Sequence, residues 1–155
     1  QLWLLQCAPV PVTTILGMKV AFQLLVILPC LAVGWLMLCL AFALTPAEWI
    51  LLLVDGLLFA LMCAPFGLWI NLHFPKLDAV NDAVVVKQSA SAMLSTFLPM
   101  VLVLLLFLLW FFLLEPLGSV GLLLVYAVIL AAAAVLSFLA LVRQGPALFR
   151  SLEEK

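Results

Sequence analysis

Residues 20–44 read VAFQLLVILPCLAVGWLMLCLAFAL, 25 positions without a charged side chain. At a rise of about 1.5 Å per residue, a helix of this length exceeds a hydrocarbon core of about 30 Å. Unpaired backbone groups are costly inside a bilayer, so a single segment of this length and apolarity must be a helix rather than a strand. The stretch therefore predicts a transmembrane helix.

Three further stretches resemble the first in length and apolarity, at 50–70, 93–114 and 120–142. Asp55 is the one charged residue among them. We predict an all-α integral membrane protein with four spans, which make up a transmembrane domain over residues 20–142. Pro29 and Pro99 are expected to kink their helices, which membrane helices tolerate.

The composition agrees with this fold class. Of 155 residues, 70% are hydrophobic and 8% are charged, whereas soluble domains are roughly half apolar and a quarter charged. The net charge of −1 leaves no basic face for nucleic acid. The four cysteines are scattered, without the spacing of a disulfide framework or a CxxC metal site. Because the chain begins at Gln1, we expect it to be part of a longer protein.

The basic residues predict an orientation. All six precede or follow spans on one side of the bilayer, and the opposite side has only short turns with Glu48 and Glu115. We expect the protein to lie in the plasma membrane. The positive-inside rule then puts both chain ends and the connection 71–91 on the cytoplasmic side. Segments 1–19 and 143–155 are predicted to lie along the cytoplasmic face. The basic residues are Lys19, Lys76, Lys87, Arg143, Arg150 and Lys155.

Asp55 is the one ionisable side chain inside a span. It lies five residues from the predicted outer end of its helix, or about 8 Å deep. Ionisable residues at membrane depth are costly and often functional, which makes Asp55 a candidate for a substrate path. At this depth, however, the carboxylate is also near enough to the interface to reach headgroup water.

Sites for catalysis are sparse in the sequence. No GxxxxGK[ST] phosphate loop or HExxH motif occurs, and no Ser/His/Asp set is evident. His73, Asp78 and Asp82 do not have the spacing of a recognised metal site; Asp78 instead suits the N-cap of a helix beginning near Ala79. We therefore predict that the chain is not an enzyme and holds no metal or cofactor.

The connection between the second and third predicted spans resembles a known family. It contains INLHFPKLD at 70–78, Asn-Asp at 81–82 and VKQS at 86–89. These motifs are similar to a signature of bacterial ABC exporter permeases, the type-2-like membrane subunits, in which Ala79 is usually Trp and Asp82 usually Glu. Residues 9–12 (PVPV), followed by Ile15 and Lys19, are similar to a second pattern of that family.

The resemblance implies the C-terminal part of a permease that exports a substrate by alternating access. A separate cytoplasmic ATPase, carrying ATP and Mg, would bind the permease, which would pair with a second permease half or another copy of itself. Two coupling segments follow from the resemblance. The first comprises Asn71, Pro75, Lys76, Asp78, Asn81, Asp82, Lys87, Gln88 and Ser89, and the second comprises Pro9, Pro11 and Lys19.

Two other classes of function remain open from the residues alone. A membrane scaffold or regulatory protein would use the same 71–91 connection to hold partners without transport. An intramembrane enzyme would need titratable groups near the midplane, and only Asp55 comes close to that position.

Overall fold

The computed structural model of the chain describes residues 11–74, 90–114 and 118–151. Within these ranges the chain forms four helices and no strand. All four are long and apolar enough to cross a membrane, which confirms the predicted all-α fold and fits a multi-pass membrane protein. The helices are α1 (Val12–Ala41), α2 (Pro46–His73), α3 (Ala90–Leu109, continued as a π-helical turn over Trp110–Leu114) and α4 (Gly118–Ser151).

The helices extend furthest beyond the predicted spans at the start of α1 and the end of α4. Helix α1 begins at Val12, directly after the extended residue Pro11, rather than at residue 20. Helix α4 continues past residue 142 and through Pro146 to Ser151. The described parts of segments 1–19 and 143–155 are therefore continuations of membrane helices, not separate elements. The prolines within α1 and α3 also lie inside continuous helices.

One end of the bundle is organised around the turn between α1 and α2. Thr45 donates both its backbone N–H and its hydroxyl to the Glu48 carboxylate, at 2.6 and 2.8 Å, and Glu48 N–H points back to the Thr45 hydroxyl at 3.5 Å. This capping box begins α2 and satisfies donors that would otherwise be unpaired. The Glu48 side chain also hydrogen-bonds Ser119 at the start of α4. We call this end, with residues 42–49 and 118–119, the turn end.

The opposite end brings together the start of α1 and the ends of α2 and α4. Leu16, Leu72, Leu141 and Phe149 form a buried cluster there. Phe149 is only 3% exposed, because its side chain packs against the other members of this cluster. We call this end, with residues 11–19, 69–74 and 141–149, the terminal end. Because α1 starts at this end whereas α2 and α4 finish there, α1 runs antiparallel to α2, and α2 and α4 run in the same direction.

Helix α2 is the centre of the bundle. It contacts the other three helices, and its contact with α4 is the most extensive. Gly56, Ala60 and Ala64 recur every four residues and so share one face of α2. Ala60 and Ala64 are buried, and a methyl group at Gly56 would lie 3.2 Å from the Leu31 side chain of α1. Small residues on α2 therefore allow close helix packing, as is common in membrane bundles.

Helices α1 and α3 form the outside of the bundle. Both pack against α2, but they share no extensive contact with each other. Most of their large apolar side chains are exposed, as expected for surfaces that face lipid or another membrane helix. The space between these two helices leads into the bundle at the level of Asp55.

Candidate functional site

A cleft between α1 and α3 is the site with the most distinctive chemistry. Its volume is about 530 Å³, and α2 and α4 form its floor. This volume falls within the usual range of about 300–1,000 Å³ for small-molecule sites. Its lining is Leu31, Gly34, Trp35, Leu38, Leu52, Asp55, Gly56, Phe59, Val103, Leu106, Phe107, Tyr126 and Leu130.

The carboxylate of Asp55 lies in this apolar cleft. Asp55 is only 8% exposed, and neither of its side-chain oxygens has a hydrogen-bond partner among the described residues. Counted from Pro46, where α2 begins, Asp55 is about 13 Å along the helix. The side chain is therefore enclosed by the bundle, nine residues past the start of α2.

The polar groups of the neighbouring aromatic side chains are bonded elsewhere. The Tyr126 hydroxyl donates to the Leu106 carbonyl oxygen at 2.6 Å, where it joins α4 to α3. The Trp35 indole N–H donates to the Trp49 carbonyl oxygen at 2.9 Å, where it joins α1 to α2. Both side-chain donors in the cleft lining therefore form hydrogen bonds between helices. The Asp55 carboxylate is the polar group of the lining that remains open to a ligand.

A second cavity of about 360 Å³ lies between α2, α3 and α4. Its lining is almost wholly apolar and includes Met62, Phe66 and Pro99. Ser137 is its one hydroxyl, and that hydroxyl donates to the Ala134 carbonyl at 2.8 Å within α4. This cavity has no polar group in position to select a ligand.

The residues predicted for coupling to an ATPase are only partly described. Pro11, Lys19 and Asn71 are all exposed, and all three belong to the terminal end. The structure therefore brings the described members of both predicted coupling segments to the same end of the bundle. The other members lie outside the described residues; they are Pro9, Pro75, Lys76, Asp78, Asn81, Asp82, Lys87, Gln88 and Ser89.

Trp69 links α2 to α4 at the terminal end. Its indole N–H donates to the Gln144 side-chain oxygen at 2.9 Å, and its ring packs against His73, with centroids 4.4 Å apart. His73 Nδ1 lies 3.1 Å from the Trp69 carbonyl oxygen. His73, the one histidine of the chain, therefore packs and bonds within the last turn of α2. Among residues 11–74, 90–114 and 118–151, no group of three or more His, Cys, Asp or Glu could hold a metal ion.

The Trp69–Gln144 hydrogen bond should be measurable as a coupling free energy. In a double-mutant cycle with Trp69→Phe and Gln144→Leu, we expect a coupling of about 0.5–1.5 kcal/mol, the range typical of interhelical hydrogen bonds in membranes. Thermal unfolding in detergent measures the free energy of unfolding of the original protein, the two single variants and the double variant. Trp49→Phe combined with Gln144→Leu is the control, because these residues lie at opposite ends and should be additive. A coupling of zero for the Trp69 cycle would mean that the bond does not hold α2 to α4.

The sequence analysis missed the small residues that bring α2 close to its neighbours. Gly56, Ala60 and Ala64 follow one another at a spacing of four residues. That spacing is visible in the sequence and predicts a packing face. The spacing also indicates the direction of Asp55. Gly56 is on the face of α2 that packs against other helices, and the neighbouring position in the sequence cannot point directly away from that face.

Comparisons with models of protein families, with characterised proteins and with solved structures give no match. The resemblance of residues 70–89 to ABC exporter permeases therefore stays a prediction. What the chain does has to be argued from the bundle, its cleft and its terminal end.

Proposed function

We propose that the chain is a membrane subunit of an ATP-driven ABC exporter. A separate ATPase would bind at the terminal end and supply ATP and Mg, and a second permease half or another copy of the chain would complete the transporter. The proposal places the terminal end in the cytoplasm and the protein in the plasma membrane, and assigns it no catalytic step of its own.

The observation that carries the proposal is the packing at the terminal end. The predicted coupling segments adjoin the start of α1 and the end of α2, and both of these pack into the cluster of Leu16, Leu72, Leu141 and Phe149. A force on the 75–89 connection would act on the two helices that it joins, α2 and α3, and α2 contacts all the others. Rigid helices that move against one another are a common means of switching between two arrangements.

The cleft supports the same proposal from the opposite half of the bundle. An exporter needs a place inside the membrane for its substrate, and the cleft of about 530 Å³ is bounded by α1 and α3, which do not pack extensively together. A change in the tilt of α2 would alter the spacing between these two walls. The arrangement thus connects the proposed ATPase surface to the proposed substrate site through one helix.

Charge reversal in the first coupling segment tests this function. For the triple variant Asp78→Lys, Asp82→Lys and Lys87→Glu, we expect the affinity for the ATPase to fall about tenfold or more, which corresponds to about 1.4 kcal/mol or more. The measurement uses the protein in proteoliposomes with the ATPase encoded beside it, and follows both association and ATP turnover.

The matched control is Arg143→Glu, which reverses an exposed charge at the terminal end outside both coupling segments. It should leave association and ATP turnover near the original values. Unchanged association and turnover in the triple variant would overturn the assignment of the coupling segment. Association without any effect on ATP turnover by the unmodified protein would favour the scaffold instead.

A further inference from the structure

Within residues 11–74, 90–114 and 118–151, the buried carboxylate of Asp55 has no basic side chain as a partner. Trp69, which bonds to Gln144, is fourteen residues along α2 from Asp55, or about 21 Å along the axis. Arg143 is adjacent to Gln144 in sequence, and Lys19 is likewise at the terminal end. Of the remaining basic residues, Arg150 lies in the last turn of α4, and Lys76, Lys87 and Lys155 lie outside the described residues.

In a second copy of the chain in the same orientation, Lys19 and Arg143 would also lie at the terminal end, far from the level of Asp55. A charged group buried without a partner is strongly unfavourable. A ligand that brings a positive group into the cleft would therefore stabilise the ionised Asp55 carboxylate.

The lining of the cleft indicates what kind of cation fits. Among the side chains that line it, Asp55 and Tyr126 are the only ones with oxygen, whereas Ca²⁺ and Mg²⁺ require about six or more oxygen ligands. The rest of the lining is aliphatic or aromatic, with Trp35, Phe59 and Phe107 among the aromatic residues. Aromatic faces attract organic cations, and an apolar wall of this size favours an apolar body.

We propose that the cleft binds a hydrophobic organic cation, with the Asp55 carboxylate as its counter-charge and the aromatic side chains against its apolar groups. This inference rests on the proposed function only for the claim that the bound cation is what is exported. Binding itself requires no ATPase, so it can be tested separately.

The test uses two probes of nearly the same shape and opposite charge, tetraphenylphosphonium and tetraphenylborate. The two probes are titrated separately, because they form a salt with each other, and with the purified protein in lipid nanodiscs we expect saturable binding of the phosphonium at least tenfold stronger than that of the borate. The Asp55→Asn variant, which keeps the size of the side chain, should bind the phosphonium at least tenfold more weakly. The Ser137→Ala variant, in the second cavity, should bind it as the unmodified protein does.

Each result has a definite meaning for the site. Equal binding of the two probes, or phosphonium binding that Asp55→Asn leaves unchanged, would overturn the proposal, since either shows a merely apolar site. No saturable binding by the unmodified protein would also overturn it, as expected if a helix of another subunit covers the cleft. If Asp55→Asn does not fold, the comparison of the two probes on the unmodified protein still decides.

The binding test and the coupling test fail independently. Loss of ATPase coupling on charge reversal with no phosphonium binding would retain the exporter and reject the cation site. Selective phosphonium binding with no ATPase association would retain the site and reject the exporter.

Discussion

Ala64→Leu is expected to lower the free energy of unfolding by about 1–3 kcal/mol, the usual effect of overpacking a well-filled interior. Ala64 has 0% exposure and lies on the face of α2 that carries Gly56 and Ala60. Three added carbon atoms at this position have no free space, so α2 must move away from a neighbouring helix. The change in thermal unfolding, followed by intrinsic tryptophan fluorescence in detergent, measures the loss.

Ala132→Leu is the matched control for that variant. Ala132 is also in a membrane helix but is exposed, so its added carbon atoms can extend into lipid or detergent. Its stability should stay within about 0.5 kcal/mol of the original, as is usual for surface substitutions. An equal loss in the two variants would show that the effect comes from leucine in a helix and not from close packing on α2.

Leu130→Ala is expected to cost about 1–3 kcal/mol, in the lower part of the range for soluble cores. Leu130 is buried with Met62 and Leu106, so it joins α4 to α2 and α3. In a membrane protein leucine gains little from moving out of lipid into an apolar interior, because both surroundings are apolar. The expected loss therefore comes from the packing contacts that the residue makes, and from the cavity that alanine leaves.

The same substitution at Leu136 separates these contributions. Leu136 is also on α4 but is 67% exposed, and most of its surface has lipid as its neighbour. Leu136→Ala should change the unfolding temperature much less than Leu130→Ala. Were the two losses alike, packing among Met62, Leu106 and Leu130 would not be what holds the three helices together.

The four helices could be predicted from the sequence because their cause is local. A run of about 20 apolar residues in lipid has no other way to satisfy its backbone than to form a helix. The positions of the helix ends depend less on the local sequence. Val12 and Phe149 are helical in the structure because the start of α1 packs against the end of α4, and composition within either segment does not reveal that contact.

The candidate site could be predicted only in part. An acid within an apolar span marks Asp55 from the sequence alone. Whether its carboxylate reaches water depends on the direction in which α2 faces, and that is set by contacts with three other helices. The cleft depends on a pair of helices that do not pack together, α1 and α3, and such a gap has no signature in either segment.

The turn between α1 and α2 has a consequence for how the protein enters the bilayer. Thr45 and Glu48 bond to each other, so much of the turn's hydrogen-bonding demand is met before any other helix is present. The two helices can therefore insert together as a hairpin, with the turn leading. On that route the Asp55 carboxylate would enter the bilayer on α2 before α3 and α4 pack around it, and the last two helices would close the cleft over an acid already in place.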